Sequence, residues 1–138
     1  MGYPSYDTPF DGLAKVLDQC HLDSFHAGWW ETPDGKNLRA EARSGSPYGA
    51  ALVAQKIALI HSEVSEAMEG HRKGLPDDHL PDRSMIEVEL ADALIRIGDL
   101  AGALGLDVAG AVREKLAYNK QRLDHKKSSR QAAGGKSY

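Results

Sequence analysis

A single cysteine in 138 residues excludes an internal disulfide framework and any zinc site built from several thiolates. No apolar run approaches the ~20 residues needed to cross a bilayer, so a membrane partner is not expected. The opening MGYPSYDTPF contains no basic segment leading into an apolar stretch, so no secretory signal is expected and the cytoplasm is the expected compartment. Net charge is small as well: 17 Lys and Arg stand against 20 Asp and Glu, a balance of −3. Bulk charge alone therefore selects no class of partner. Internal repeats are absent, and no segment shows the apolar/polar alternation that marks a strand.

Charge is unevenly placed along the chain. Positions 113–138 hold eight Lys and Arg against two acids, a balance of +6 that leaves −9 for positions 1–112. Such asymmetry fits a folded acidic body with a solvated basic tail, or an acidic metal site with the cations that grip a phosphate ligand.

Helical periodicity dominates, and the expected fold is all-α. At this length one domain is expected over 1–138, with a helical core over about 10–123 and a basic tail over about 124–138. A first helix is expected over Phe10–Ala27, followed by a loop rich in Gly, Pro and charge from Gly28 to about Tyr48. A second is expected from about Gly49 to Lys73, stopped by Gly74 and Pro76. Ser84 with Glu87 forms a capping box for a third, Met85–Leu104, and Asp107 caps a fourth, Val108–Leu123, with Gly105 between them. The second and third make a helical hairpin. The stretch HKKSSRQAAGGKSY lacks periodicity and is expected to be disordered on its own.

The acids of this hairpin resist a bland explanation. Glu69 has Arg72 and Lys73 one turn on, but Glu63 and Glu66 have no cation at any i±3 or i±4 position. Glu63 falls within the arc of Leu52, Ile57, Leu59, Ile60 and Val64, and Glu66 at its edge. On the third helix apolar residues surround one stripe of Glu89, Asp92, Arg96 and Asp99, so that helix is expected to be largely buried. Arg96 can pair with Asp92 and Asp99; Glu89 has no such partner. Two carboxylates ~5 Å apart repel by about 3 kcal/mol at an effective dielectric of about 20, so the stripe needs a counter-charge. Either basic residues of other helices neutralise it, or a hard cation does. Carboxylates without His or Cys favour Mg²⁺ or Mn²⁺, which retain positions for water and substrate phosphates. A di-iron bundle would need Glu-x-x-His pairs, which these helices lack.

Further along, Lys115, Asn119 and Arg122 share a face of the fourth helix, as phosphate and sugar contacts would, or as an ordinary basic helix end would. Lys56, two turns before Glu63, is a further candidate contact. Phe25, His26, Trp29 and Trp30 form an aromatic cluster that can stack on a nucleobase or serve the core or an interface.

Taken together, Glu63-x-x-Glu66, twenty-two intervening residues, Glu89-x-x-Asp92 and then Lys115-x-x-x-Asn119-x-x-Arg122 resemble the all-α nucleoside triphosphate pyrophosphohydrolases, the MazG-like group that includes the dimeric all-α dUTPases. The resemblance covers about residues 50–123, and KIALIHSEVSEAMEG and IEVELADALIRIGDLAGALG carry most of it. It implies a four- to five-helix bundle completed by homo-oligomerisation, as dimer or tetramer. It also implies Mg²⁺, or Mn²⁺ as substitute, held by Glu63, Glu66, Glu89 and Asp92, which are then the catalytic residues. Lys56, Lys115, Asn119, Arg122, Trp29 and Trp30 would contact a nucleoside triphosphate, cleaved between its α and β phosphates to a monophosphate and pyrophosphate. Ser62 stands where some members carry a further glutamate, leaving one to three metals open, and the general base is open among Glu63, Glu66 and Glu89. The alternative is a non-catalytic nucleotide-binding regulatory dimer. Nucleic acid is disfavoured because the acidic body would repel a phosphate backbone.

Overall fold

The computed structural model describes residues 8–135, and helices with short connections account for nearly all of them. The elements are α1 (Pro9–His26), α2 (Leu38–Arg43), α3 (Pro47–Lys73), α4 (Met85–Leu104), α5 (Val108–Gln121), a 3₁₀ turn (Leu123–His125) and α6 (Lys127–Gln131). No strand occurs among the described residues, only isolated bridges such as Glu31 with Asn37. The fold is all-α. No helix among them is long and apolar enough to cross a membrane.

Local chemistry sets the helix ends. Ser46 accepts from Gly49 N with Pro47 at the first position of α3, and Gly74 ends that helix at φ 62°, a left-handed conformation that costs glycine little. Ser84 and Glu87 form the expected reciprocal capping box of α4. The Asp107 side chain accepts from Gly110 N to open α5. Two segments expected to be irregular contain helix. Within the loop of 28–48, Asn37 caps Ala40 N and starts α2, whose Leu38 and Ala42 pack against the Trp30, Leu52, Leu100 and Ala103 core. In the tail, residues Lys127–Gln131 form α6.

The chain divides into two compact units. Residues 15–106 hold most of α1, together with α2, α3 and α4. Here α3 and α4 form the expected antiparallel hairpin, and α1 lies close against α4 at two glycines. A Cβ on Gly98 would stand 3.0 Å from Cys20 Cβ and Leu17 O, and one on Gly102 would run into the His21 side chain. Glycine four residues apart thus permits backbone approach that any larger residue would block. The other unit comprises the described residues 8–14 and 107–135, with α5, the 3₁₀ turn and α6.

The core is narrower than the periodicity suggests. On α3, Ile57, Val64 and Met68 are exposed, and on α4 so are Leu90, Leu94 and Ile95. The expectation that α4 is largely buried holds only for the face carrying Glu89, Ala93, Gly98 and Leu100–Ala101. Ile86, Val88 and Ile97 are half-buried, while Leu90, Leu94 and Ile95, and the stripe at i, i+7 and i+11 on α3, lie open.

Candidate metal centre

Three carboxylates meet across the α3–α4 seam. Oxygens of Glu63, Glu89 and Asp92 lie within 4.8 Å of one another. Glu63 is 6 % exposed and Glu89 8 %, while Asp92 is half-buried. The capping box fixes where α4 begins, so Glu89 and Asp92, one turn apart, share the face turned to α3. Gly70 allows the approach, since a Cβ there would lie 2.8 Å from the Cβ and Cγ of Met85.

Burial and like charge both act on this cluster. Burial first, then a hydrogen bond with Glu63 and the negative charges of Glu66, Glu63 and Asp92, push the Glu89 carboxyl up to about 7. Asp92 is also raised, by burial and then by Glu63, with Arg96 and His79 opposing and Asp77 adding to the rise. One cation does reach the cluster. Arg96 crosses from α4 and donates its Nε–H to Glu63 Oε1. The expected pairing of Arg96 along its own helix with Asp92 and Asp99 is not what forms, because the carboxylate on α3 is closer to its guanidinium. Among the described residues no Lys or Arg forms an ion pair with Glu89 or Asp92. Hard oxygen donors that are buried, mutually repelling and short of positive charge suit a divalent cation, and the set can hold one. Glu66 is placed differently. It is exposed and outside the converging group, yet near enough for its charge to act on Glu89.

Beside the cluster opens a cavity of about 790 Å³, walled by Val16, Leu59 and Ile95 and sharing Asp92 with the three acids. Trp29, Lys56 and Asp99 also line it.

Comparisons with protein-family models, with curated proteins and with solved structures return no match. The site is read from its own chemistry.

The two tryptophans part company. Trp29, 69 % exposed, lies at the cavity, whereas Trp30, 2 % exposed, is core. Trp30 is therefore not placed to stack on a ligand; its ring carries the Lys56 ammonium, with Nζ 4.4 Å from the centroid. Lys56 is half-buried, lines the cavity, and has its pKa lowered chiefly by burial. His26 is exposed and stands edge-on to Phe25.

Lys115, Asn119 and Arg122 each have a different neighbour at the end of α5. Helix α5 ends at Gln121 and Arg122 is its C-cap (φ −68°, ψ 129°), so the chain leaves the helical path just after Arg122. Its guanidinium grips Asp124 through Nε at 2.9 Å and Nη2 at 2.5 Å. Lys115 lies over the Tyr118 ring, and Asn119 Oδ1 is buried without a partner among the described residues.

A second polar network was not foreseen from the sequence. Asp99 Oδ1 accepts from Trp30 Nε1 at 2.7 Å and bonds His21 Nδ1 at 2.9 Å. Arg39 Nη1 lies 3.3 Å from His21 Nε2. Arginine can only donate, so Nε2 accepts and Nδ1 carries the proton given to Asp99. The sequence signal was Asp99 itself, an acid on the buried face of an apolar helix. Its partners sit 69 and 78 residues away, with no spacing to reveal them. Asp77 was likewise read only as loop; it is buried, its Oδ1 caps the turn through His79 N and Leu80 N, and its charge acts on Asp92.

Proposed function

We propose that this chain is a Mg²⁺-dependent nucleoside triphosphate pyrophosphohydrolase of the MazG-like kind, releasing a nucleoside monophosphate and pyrophosphate. One observation carries the reading: Glu63, Glu89 and Asp92 converge on the hairpin seam, with Glu89 and Asp92 unpaired by any described cation, beside a cavity that shares Asp92. Glu63, Glu89 and Asp92 would hold Mg²⁺, or Mn²⁺ in its place, and exposed Glu66 would complete the set from the solvent side. When bound, the metal would screen polyphosphate charge and lower the pKa of a water. The chain supplies the rest. Burial of Glu63 and Glu89 keeps their oxygens from bulk water, and the Arg96 contact fixes the Glu63 carboxylate in one orientation. Asp92 stands between cluster and cavity, where a ligand spanning both would pass it. One of the glutamates would take the proton of the attacking water. Roles for Lys115, Asn119 and Arg122 rest on the resemblance alone.

A homo-oligomer, dimer or tetramer, belongs to the same reading and is supported by the exposed apolar stripes of α3 and α4. So does a cytoplasmic location. The Arg96–Glu63 pair favours a second reading, a non-catalytic nucleotide-binding regulatory dimer, since one of the acids already has a cation. Incubation with each ribo- and deoxyribonucleoside triphosphate, dUTP included, in Mg²⁺ separates the two. Monophosphate plus pyrophosphate, lost in Glu63→Ala and Glu89→Ala, is the expected result; Mg²⁺-nucleotide binding without turnover above those variants would replace it with the second reading.

A further inference from the structure

The cavity beside the acidic cluster has a buried, oriented acceptor in its wall. Asp99 is 8 % exposed and lines the cavity. Its Oδ1 is occupied by Trp30 and His21. Its Oδ2 takes no hydrogen bond among the described residues and is not sealed from solvent, which leaves it as the oxygen available to the cavity that Asp99 lines with Lys56, a cation near enough for the Asp99 charge to act on it. Two donors from α1 and the following turn hold the carboxylate still, and the Arg39 contact holds His21 in the tautomer that donates. Much of the wall around it is apolar, with Val16, Leu59 and Ile95 and the exposed Trp29 ring at the side, while Asp23, Lys56, Asp92 and Arg96 bring charge to the lining. A largely apolar wall with a few placed polar groups, one of them held rigidly, is the make-up of a site for a planar heterocycle.

We propose that this cavity takes the nucleobase and that Asp99 makes it selective for bases bearing an exocyclic amino group over bases bearing only carbonyls. This rests on the nucleotide reading above and names the substrate class within it. A carboxylate oxygen only accepts. An amino group projects beyond the ring and offers it an N–H, whereas a carbonyl at that position sets acceptor against acceptor. The ring N–H of a uracil edge can donate, but it is flanked by two carbonyls whose partial negative charges repel the carboxylate that approaches it. Because Asp99 is held on its other oxygen, it cannot turn aside, and a mismatched ligand leaves a buried acceptor unpaired. Sites built to bond an N–H or O–H discriminate strongly against analogues lacking it.

The test uses the whole protein in EDTA with nucleosides, so it needs neither metal nor hydrolysis. Cytidine is compared with uridine, and adenosine with inosine, by tryptophan fluorescence and chemical-shift titration. The amino-bearing member should bind at least about tenfold tighter in one pair or both, a preference of the size one bond to a charged group gives. Ile95→Trp, which fills the cavity from an exposed position, should abolish binding, and Asp99→Asn should bring the ratio to unity or invert it. Equal or tighter binding of uridine and inosine, no nucleoside binding, or binding untouched by Ile95→Trp would overturn the proposal. Should Asp99→Asn fail to fold, the wild-type ratios and Ile95→Trp decide. Absence of pyrophosphate release would sink the proposed reaction and leave this result standing; loss of amino selectivity would do the converse.

Discussion

Replacing Glu89 by Gln asks whether the acidic cluster is destabilised by its own charge. The Glu89 carboxyl rises from 4.5 to about 7 on folding, mainly through burial and then through Glu63, Glu66 and Asp92. The folded value is the higher one, so the metal-free protein is unpenalised below about pH 4.5. It loses stability as pH rises through 7 and bears the full cost above that. That cost is on the order of 3 kcal/mol. Coulomb's law gives a similar size: unit charges 4.8 Å apart repel by about 3 kcal/mol at an effective dielectric of about 20. Gln keeps the shape and can still donate to Glu63, but it does not ionise. In EDTA at about pH 8, Glu89→Gln should therefore be more stable than wild type by about 2–3 kcal/mol, and near pH 5 the two should match within about 1 kcal/mol. Urea titrations across that range read the difference as a shift in midpoint at constant slope. Mg²⁺ should then narrow the gap, because wild type gains about 2.7 kcal/mol at a hundredfold excess over Kd and the variant gains less. Parallel pH profiles for the two proteins in EDTA would refute the reasoning.

Four further outcomes are expected. Arg96→Gln leaves the buried Glu63 carboxylate without its cation, so the metal-free protein should lose about 3 kcal/mol in urea titrations, with Mg²⁺ restoring more than it adds to wild type. Gly102→Ala forces a methyl into His21. Overpacking of about 1–3 kcal/mol, with the His21–Asp99 bond disturbed, should outweigh the ~1 kcal/mol gain in helix propensity. Gly12→Ala, with nothing within 4 Å, should show that gain alone as a raised Tm. Val64→Asp or Leu90→Lys, on exposed apolar positions, should lower the mass measured by sedimentation; an unchanged oligomer would show that these stripes are not its interface.

Helix ends were legible because they depend on neighbours in sequence: Ser84 with Glu87, Asp107 with Gly110, Gly74 and Gly105 in left-handed backbone. The pairing of Glu69 with Arg72 and Lys73 was legible for the same reason. Convergence of Glu63, Glu89 and Asp92 followed from one further step, that a short connection turns consecutive helices antiparallel. Glu66, read at the edge of the buried arc, is exposed, since that edge became solvent where α4 covers only part of α3. The pairing of Arg122 with Asp124 was not read, because it forms where the chain leaves α5 and the helical spacing of acids and bases no longer applies.

The sequence by itself determined that this chain is helical, where α4 and α5 begin, and that a hairpin would carry acids too many for its cations. Only the tertiary structure decided that Arg96 reaches Glu63, that Trp30 is core while Trp29 faces a cavity, and that Asp99 is held by His21 and Trp30 with one oxygen free. The reason is range. Caps and periodicity arise from interactions within a turn or two, whereas the partner of a buried charge is chosen by which helices pack together and how closely two glycines let them approach.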